Sequence, residues 1–366
     1  MHKVLNYGSA LQAYALQQKL FSMGYDNELI DYSYPPPLKK RRSLKSCLFD
    51  IIIFLRNAAF GFPTERKQRR FNKFYKHNYK LSDFYTRDSI KKNPPLYDGY
   101  ITGSDQVWNP RFAGGDDNFF LAFAPENKLK LSYASSFATT KVYEELKPLY
   151  AKYLSRYNSI SVRETSGVDI VKELTGKEAT VCCDPTILLS SEEWEKLAVQ
   201  STLKIDYKYV LVYVLGYMVG NVYDDVQKIT EYVQKTLGMK VIYLVGRKED
   251  AFRPNSRLIK DAGPSEFVYL IKNADFVITT SFHGVAFSLI FDRPLFGVVD
   301  KEKVDDTRIQ SVLSVTGAEK SIWDYRFVPN YCKEVLLSLK CNKHCMDKLR
   351  SESTTYLSEA LHQLLY

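Results

Sequence analysis

Tyr209-Val-Leu-Val-Tyr-Val-Leu215 is apolar at every position. A strand with one wet face alternates, whereas a run apolar on both sides suits a parallel strand buried between helices. The pattern continues outward from it. Towards the C-terminus it predicts a helix over 221–237, a strand over 240–245, a helix over 264–273, a strand over 275–279, a helix from about 284 and a strand over 294–299. Towards the N-terminus, 190–207 reads as a linker with a short helix, Ser191 serving as its N-cap before Glu192, Glu193 and Trp194. Before it come strands over 97–102, 129–134, 159–162 and 179–183, with helices over 141–156 and 165–175. Strand–helix alternation on both sides of a linker predicts an α/β fold of two Rossmann-like domains. Their expected bounds are 1–190 and 191–366, with a central cleft and an amphipathic C-terminal helix over 346–366.

The front of the chain reads as a turn, Asn6-Tyr7-Gly8-Ser9, then a helix from Ala10 to Leu20, then a strand Glu28-Leu-Ile-Asp-Tyr32. Turn, helix and strand with nothing before them resemble a βαβ unit lacking its first strand. The expectation is that the polypeptide begins further upstream or that its start is truncated.

The chain has 366 residues, 45% apolar and 25% charged, with a formal net charge of +9. Those proportions exclude a disordered or collagen-like chain. The charge is uneven: residues 38–80 hold thirteen Lys/Arg against Asp50 and Glu65 alone. That window has a charge of +11, so the rest of the chain is slightly acidic. It reads as a basic, helical insertion. Lys39-Lys-Arg-Arg42 and Arg66-Lys-Gln-Arg-Arg70 flank the short apolar run 47–55. Such a segment suits peripheral contact with an anionic membrane, or else a solvated helical face with one packed stripe. No run of about 18 apolar residues exists to span a bilayer. Six cysteines without framework spacing, and no secretory signal at the start, fit a reducing cytoplasm. Cys341-Asn-Lys-His344-Cys345 lacks the second pair that a structural metal site would need.

In open α/β sheets ligands bind beyond the carboxyl ends of strands, so residues there are the candidates. Gly103-Ser104-Asp105 follows the strand 97–102. Asp105 reads either as a general base or hydroxyl-binding carboxylate, or as an Asx turn or helix cap. Arg163 follows 159–162, reading either as a bidentate anion ligand or as a local pair with Glu164. Thr280-Ser281-Phe282-His283-Gly284 runs off an apolar strand into an apolar helix. There Gly284 admits close backbone approach, Ser281 supplies a hydroxyl, and the helix N-terminus favours an anion. His283 is suited to proton transfer near neutral pH, although a lone histidine is commonly a core residue. Arg308 reads either as a further cleft cation or as a surface residue. The glycine-rich dinucleotide, P-loop, serine-elbow and zinc-helix motifs are all missing from the sequence. Arginine, histidine and a helix N-terminus point to an anionic substrate without an obligatory metal.

Six stretches in order resemble the polysaccharide pyruvyl transferase family: Asn6–Leu16, Gly103–Asn109, Ser161–Glu164, Asp184–Thr186, Pro264–Phe267 and Thr280–Gly284. The resemblance spans nearly the whole chain except 38–80. It implies a GT-B-like fold and a cytoplasmic enzyme of surface-glycan synthesis. It also implies transfer of pyruvate from phosphoenolpyruvate to a sugar as a ketal, with no cofactor besides that donor. On that resemblance His283 is expected to be proton donor or phosphate-binding electrophile, and Asp105 the base for the acceptor hydroxyl. Arg163, Ser281, Gly284, Ser104, Asn6, Tyr7, Gly8 and Arg308 are expected to contact substrate. Family members carry a strand before the Asn-Tyr-Gly turn, so its omission here would remove a strand from the N-terminal sheet. The partners expected are phosphoenolpyruvate and a glycan acceptor, lipid-linked or free, with membrane contact through 38–70. The competing readings are a GT-B glycosyltransferase using a nucleotide sugar and an inactive glycan-binding or scaffold protein. A nucleic-acid binder is disfavoured, since no basic-aromatic readout motif accompanies the charge.

Overall fold

The computed structural model describes residues 2–33, 63–111, 116–215, 222–300 and 307–365. The N-terminal half opens with helix α1 (Tyr7–Ser22), strand β1 (Leu29–Tyr32), helix α2 (Pro63–Asn78) and strand β2 (Leu81–Tyr85). Strands β3 (Gly99–Thr102) and β4 (Leu129–Ser132), helix α3 (Lys147–Leu154), β5 (Ser161–Val162), helix α4 (Thr165–Thr175) and β6 (Thr180–Val181) complete it. These strands pair in parallel as β1-β2, β3-β4 and β5-β6. Isolated bridges from Leu131 to Ser159 and from Ser135 to Val162 join the last two pairs.

Helix α5 (Ser191–Ala198) leads into the second half, built on β7 (Tyr209–Tyr213), α6 (Val222–Leu237), β8 (Lys240–Leu244) and β9 (Ser256–Ile259). It continues through α7 (Pro264–Lys272), β10 (Phe276–Thr279), α8 (Phe282–Ile290), β11 (Leu295–Val299), α9 (Thr307–Val315) and β12 (Ile322–Asp324) to α10 (Lys343–His362). Its sheet is six-stranded and all parallel, in the order β12-β11-β10-β7-β8-β9. β7 is buried at every position and lies between β10 and β8, as its unbroken apolar run requires. The α/β fold of parallel sheets in two Rossmann-like halves, expected from the sequence, is therefore the one observed.

The structure corrects three readings. Ser190, not Ser191, caps α5: its hydroxyl accepts from the Glu193 amide while the Glu193 carboxylate accepts from the Ser190 amide. Residues 63–78 are not an insertion but the crossover helix that carries the chain from β1 to its parallel partner β2. Phe71, Phe74 and Tyr75 form its buried stripe. Residues 38–62 of the basic stretch, including 39–42 and 47–55, lie outside the described residues. The last helix begins at Lys343 rather than 346, with Asn342 as its cap. From there it returns across the N-terminal half, where the Ser353 hydroxyl accepts from the Cys183 amide and the Tyr356 hydroxyl donates to the Ser132 carbonyl. Cys341 and Cys345, in the segment entering that helix, are free thiols. Among the described residues no helix is long and apolar enough to cross a membrane.

Candidate active site

Four strand ends and one helix start converge at one point. β3 delivers Ser104 and Asp105, β5 delivers Arg163, the residues after β6 deliver Asp184, and β10 delivers Ser281 and His283. α1 begins against them, because Gly8 lies flush on the His283 ring: a Cβ there would overlap the imidazole. Ser9 reaches Asp105, its hydroxyl donating to Oδ2 at 2.5 Å.

Asp184 is the hub. Its Oδ1 accepts from the Thr186 amide at 3.0 Å and the Thr186 hydroxyl at 2.8 Å. Its Oδ2 accepts from Arg163 Nη1 at 2.8 Å and Ser104 Oγ at 3.2 Å, and lies 3.5 Å from His283 Nε2. At that distance His283 Nε2 faces the carboxylate without a hydrogen bond of good geometry. The Arg163 side chain is 3% exposed and that of Asp184 0%, so this is a buried ion pair. The guanidinium also stacks over Phe282, 4.6 Å from its centroid. Two buried polar atoms at the cluster have no hydrogen-bond partner: Arg163 Nε and His283 Nε2. Buried polar atoms are rarely left unmatched, which sets these two apart from the rest of the cluster.

Burial pushes the Asp184 carboxyl up, but His283 and Arg163, with the Thr186 amide, outweigh it and hold it well below the usual range. The same balance keeps Asp105 below its ordinary value: burial raises it, while Arg163, His283 and the bonds from Ser9 and the Gln106 amide lower it further. Arg163 is stabilised in its charged form by Asp184, Glu164 and Asp105 against burial.

Two helix N-termini meet here. Asn6 caps α1, its side chain accepting from the Ser9 amide, and Ser281 caps α8, its hydroxyl accepting from the Gly284 amide. Each cap satisfies one early amide of its helix, and both helices direct their partial positive charge at the cluster.

The structure thus brings together His283, Asp105, Arg163, Ser104, Gly8, Asn6 and Ser281. Several have roles more local than substrate contact. Tyr7 is buried: it stacks on Phe267 with ring centroids 4.7 Å apart, and its hydroxyl donates to the Ala262 carbonyl, so it is a packing residue. Gly284 is required because a Cβ would strike Thr279, so its lack of a side chain lets α8 pack closely on β10. Arg308 lies in the first turn of α9. The pairing of Arg163 with Glu164 is replaced by Arg163 with Asp184; Glu164 instead accepts from Ser136 and the amides of Phe137 and Ala138. Asp184 and Ser9 were not expected at the site. The signal for Asp184 was a charged residue directly after an apolar strand; for Ser9 it was a hydroxyl in the first turn of a helix.

Two domains of parallel sheet, with the cluster at strand ends between them, define a GT-B-like protein. A solved structure assigned as a UDP-N-acetylglucosamine 2-epimerase, from Listeria monocytogenes, shares this fold at TM-score 0.51 and 11% identity, covering 94% of this chain and 88% of that one. The UDP-GlcNAc 2-epimerase of Neisseria meningitidis, solved with UDP-GlcNAc, aligns at TM-score 0.46 and 10% identity over 98% of both chains. No curated protein matches the sequence. The model of the polysaccharide pyruvyl transferase family matches residues 6–301, and the chain belongs to that family.

Proposed function

We propose that the protein transfers the pyruvyl group of phosphoenolpyruvate to a sugar of a polysaccharide precursor, forming a ketal and releasing phosphate. The observation that supports this reading is the pair of buried, unpartnered donors, Arg163 Nε and His283 Nε2, where two helix N-termini meet. A small dianion with a carboxylate and a phosphate matches such a set.

In this reading Arg163 and the N-terminus of α8 hold the two anionic groups. His283 gives a proton to the methylene carbon, which makes the adjacent carbon oxocarbenium-like. An acceptor hydroxyl attacks that carbon. A second hydroxyl attacks as the carbon–oxygen bond to phosphate breaks. One hydroxyl proton replaces the proton that became part of the methyl group; the other leaves with phosphate. Asp105 orients the acceptor. Its depressed basicity suffices, because a hydroxyl that has begun to bond to an oxocarbenium carbon is strongly acidic. Asp184 touches no reacting atom in this scheme and acts as a positioning residue for Arg163 and His283.

The test is phosphate release from phosphoenolpyruvate across candidate lipid-linked glycans, with mass spectrometry for the added pyruvyl group. His283→Ala should abolish turnover. Near-normal turnover of that variant overturns its role, and release of nucleoside diphosphate from a sugar nucleotide instead overturns the donor.

A further inference from the structure

We infer that Ser9 is a positioning residue, which holds the Asp105 carboxylate at a set distance from His283 and so makes the site favour a sugar hydroxyl over water. This role rests on the proposed reading, in which Asp105 orients the acceptor and His283 protonates the donor. Two consecutive residues of α1 touch the two groups, which come from opposite halves of the chain. A Cβ at Gly8 would fall 2.0 Å from His283 Nδ1, so the helix backbone lies against that edge of the ring. Asp184 faces the other edge, 3.5 Å from Nε2. Next along α1, the Ser9 hydroxyl donates to Asp105 Oδ2 at 2.5 Å. The first turn of one helix thus spaces the imidazole from the carboxylate, and a helix holds such a spacing more precisely than a loop does.

Asp105 needs that hold. Its φ of 73° lies in the left-handed region, which is uncommon for residues other than glycine. The backbone is fixed there through its carbonyl, which accepts from the amides of Val107 and Ser136. Among the described residues the side chain accepts from the Gln106 amide at Oδ1, 2.9 Å away, and from Ser9 at Oδ2. The Gln106 bond is local and moves with its loop, whereas Ser9 ties the carboxylate to a separate element. Without Ser9 the carboxylate can turn and the acceptor loses its guide, while His283 still protonates the methylene carbon. Water then attacks the oxocarbenium-like carbon as the carbon–oxygen bond to phosphate breaks. One water proton replaces the proton that entered the methyl group, the other leaves with phosphate, and the products are pyruvate and phosphate.

Ser9→Ala removes the hydroxyl and little else. Alanine favours helix more than serine does, and Asn6 caps α1 through the amide of residue 9, which the variant keeps. Phosphate, pyruvate and ketal are measured together in parent and variant. The parent should release phosphate and form ketal in equal amounts. The variant should lose about 100-fold in kcat for transfer, the scale of a misplacement of about an ångström, with KM for phosphoenolpyruvate unchanged. Its phosphate should exceed its ketal, the excess matched by pyruvate. In the protein without substrate, amide exchange of Gln106 should quicken by about fivefold or more, the effect of roughly one net hydrogen bond, while that of Ser136 stays as in the parent. Equal phosphate and ketal in Ser9→Ala, a change confined to KM, or unaltered Gln106 exchange overturns the inference. If the parent itself releases no phosphate from phosphoenolpyruvate with any acceptor, the donor reading falls, and Gln106 exchange alone decides whether Ser9 holds Asp105.

Discussion

Gly8 and Asp184 show how single residues set the candidate site. The His283 ring occupies the space a side chain at position 8 would need. Gly8→Ala should therefore shift the imidazole by about an ångström and lower kcat on the order of 100-fold, with the fold intact by circular dichroism. Asp184 carries a pH signature. In the unfolded chain it titrates near about pH 4, and in the folded protein well below that. Between the two values the unfolded chain binds more protons. The stability Asp184 contributes is thus complete above about pH 4 and lost as pH falls through the depressed native value. Asp184→Asn removes this dependence and leaves Arg163 buried without its nearest counter-ion, at a cost of about 3–5 kcal/mol. Urea unfolding at acid and neutral pH should show a smaller difference between the two conditions in the variant than in the parent. As a positioning residue it should also change the pH profile of kcat more than KM.

At the scale of elements, α2 matters most. Its buried stripe packs beside Tyr7, with Phe71 and Tyr7 ring centroids 5.5 Å apart. Its basic face reaches the second half: Arg66 Nε donates to Asp261 at 2.7 Å, and Arg70 Nη1 donates to the Asp261 carbonyl at 2.7 Å. Phe71→Ala should cost about 3–5 kcal/mol in chemical denaturation, the range for a fully buried phenylalanine. The helix also shows what the sequence could convey. Long, strongly patterned elements were legible: the run at 209–215, the helices at 222–237, 264–272 and 282–290, and the strand–Gly–helix junction at His283, whereas α9 (Thr307–Val315) was not. β2, β9 and β12 were not. They are three to five residues long and mostly half-exposed or exposed, so no unbroken apolar run marks them. The site was legible as separate strand ends. Asp184 carried a local signal as a charge after a strand, but its role as the hub was not legible, because Arg163, Ser104 and His283 meet it from distant parts of the sequence.

Across the whole molecule, the net charge of +9 has a narrower meaning than its size suggests. Arg66 and Arg70 are already engaged by Asp261 and Glu266. Neutralising them should loosen the contact between the halves. If a lipid-carried acceptor draws the protein to an anionic surface, flotation with liposomes should depend instead on Lys39–Arg42. The two halves are further tied by α10 and by one continuous core, which contains Ala10 and Leu11 of α1 together with Val285 and Phe287 of α8. α10 starts from the second half, where Met346 is buried, and ends on the first, where Leu361 and Leu364 line a cavity beside β3. Along the way Arg350 Nε donates to the Ile187 carbonyl and Gln363 donates to Ser159. Since His283 comes from one half and Arg163, Asp184 and Asp105 from the other, the geometry of the cluster depends on this tie. Removing residues 343–366 would expose the surfaces that cover Leu357, Ala360 and Leu361. It should split a single thermal transition into two, seen by calorimetry, because each half keeps its own parallel strands while the link between them weakens. Turnover should fall further than the loss of stability alone predicts, because the histidine and the arginine would no longer be held at a fixed separation.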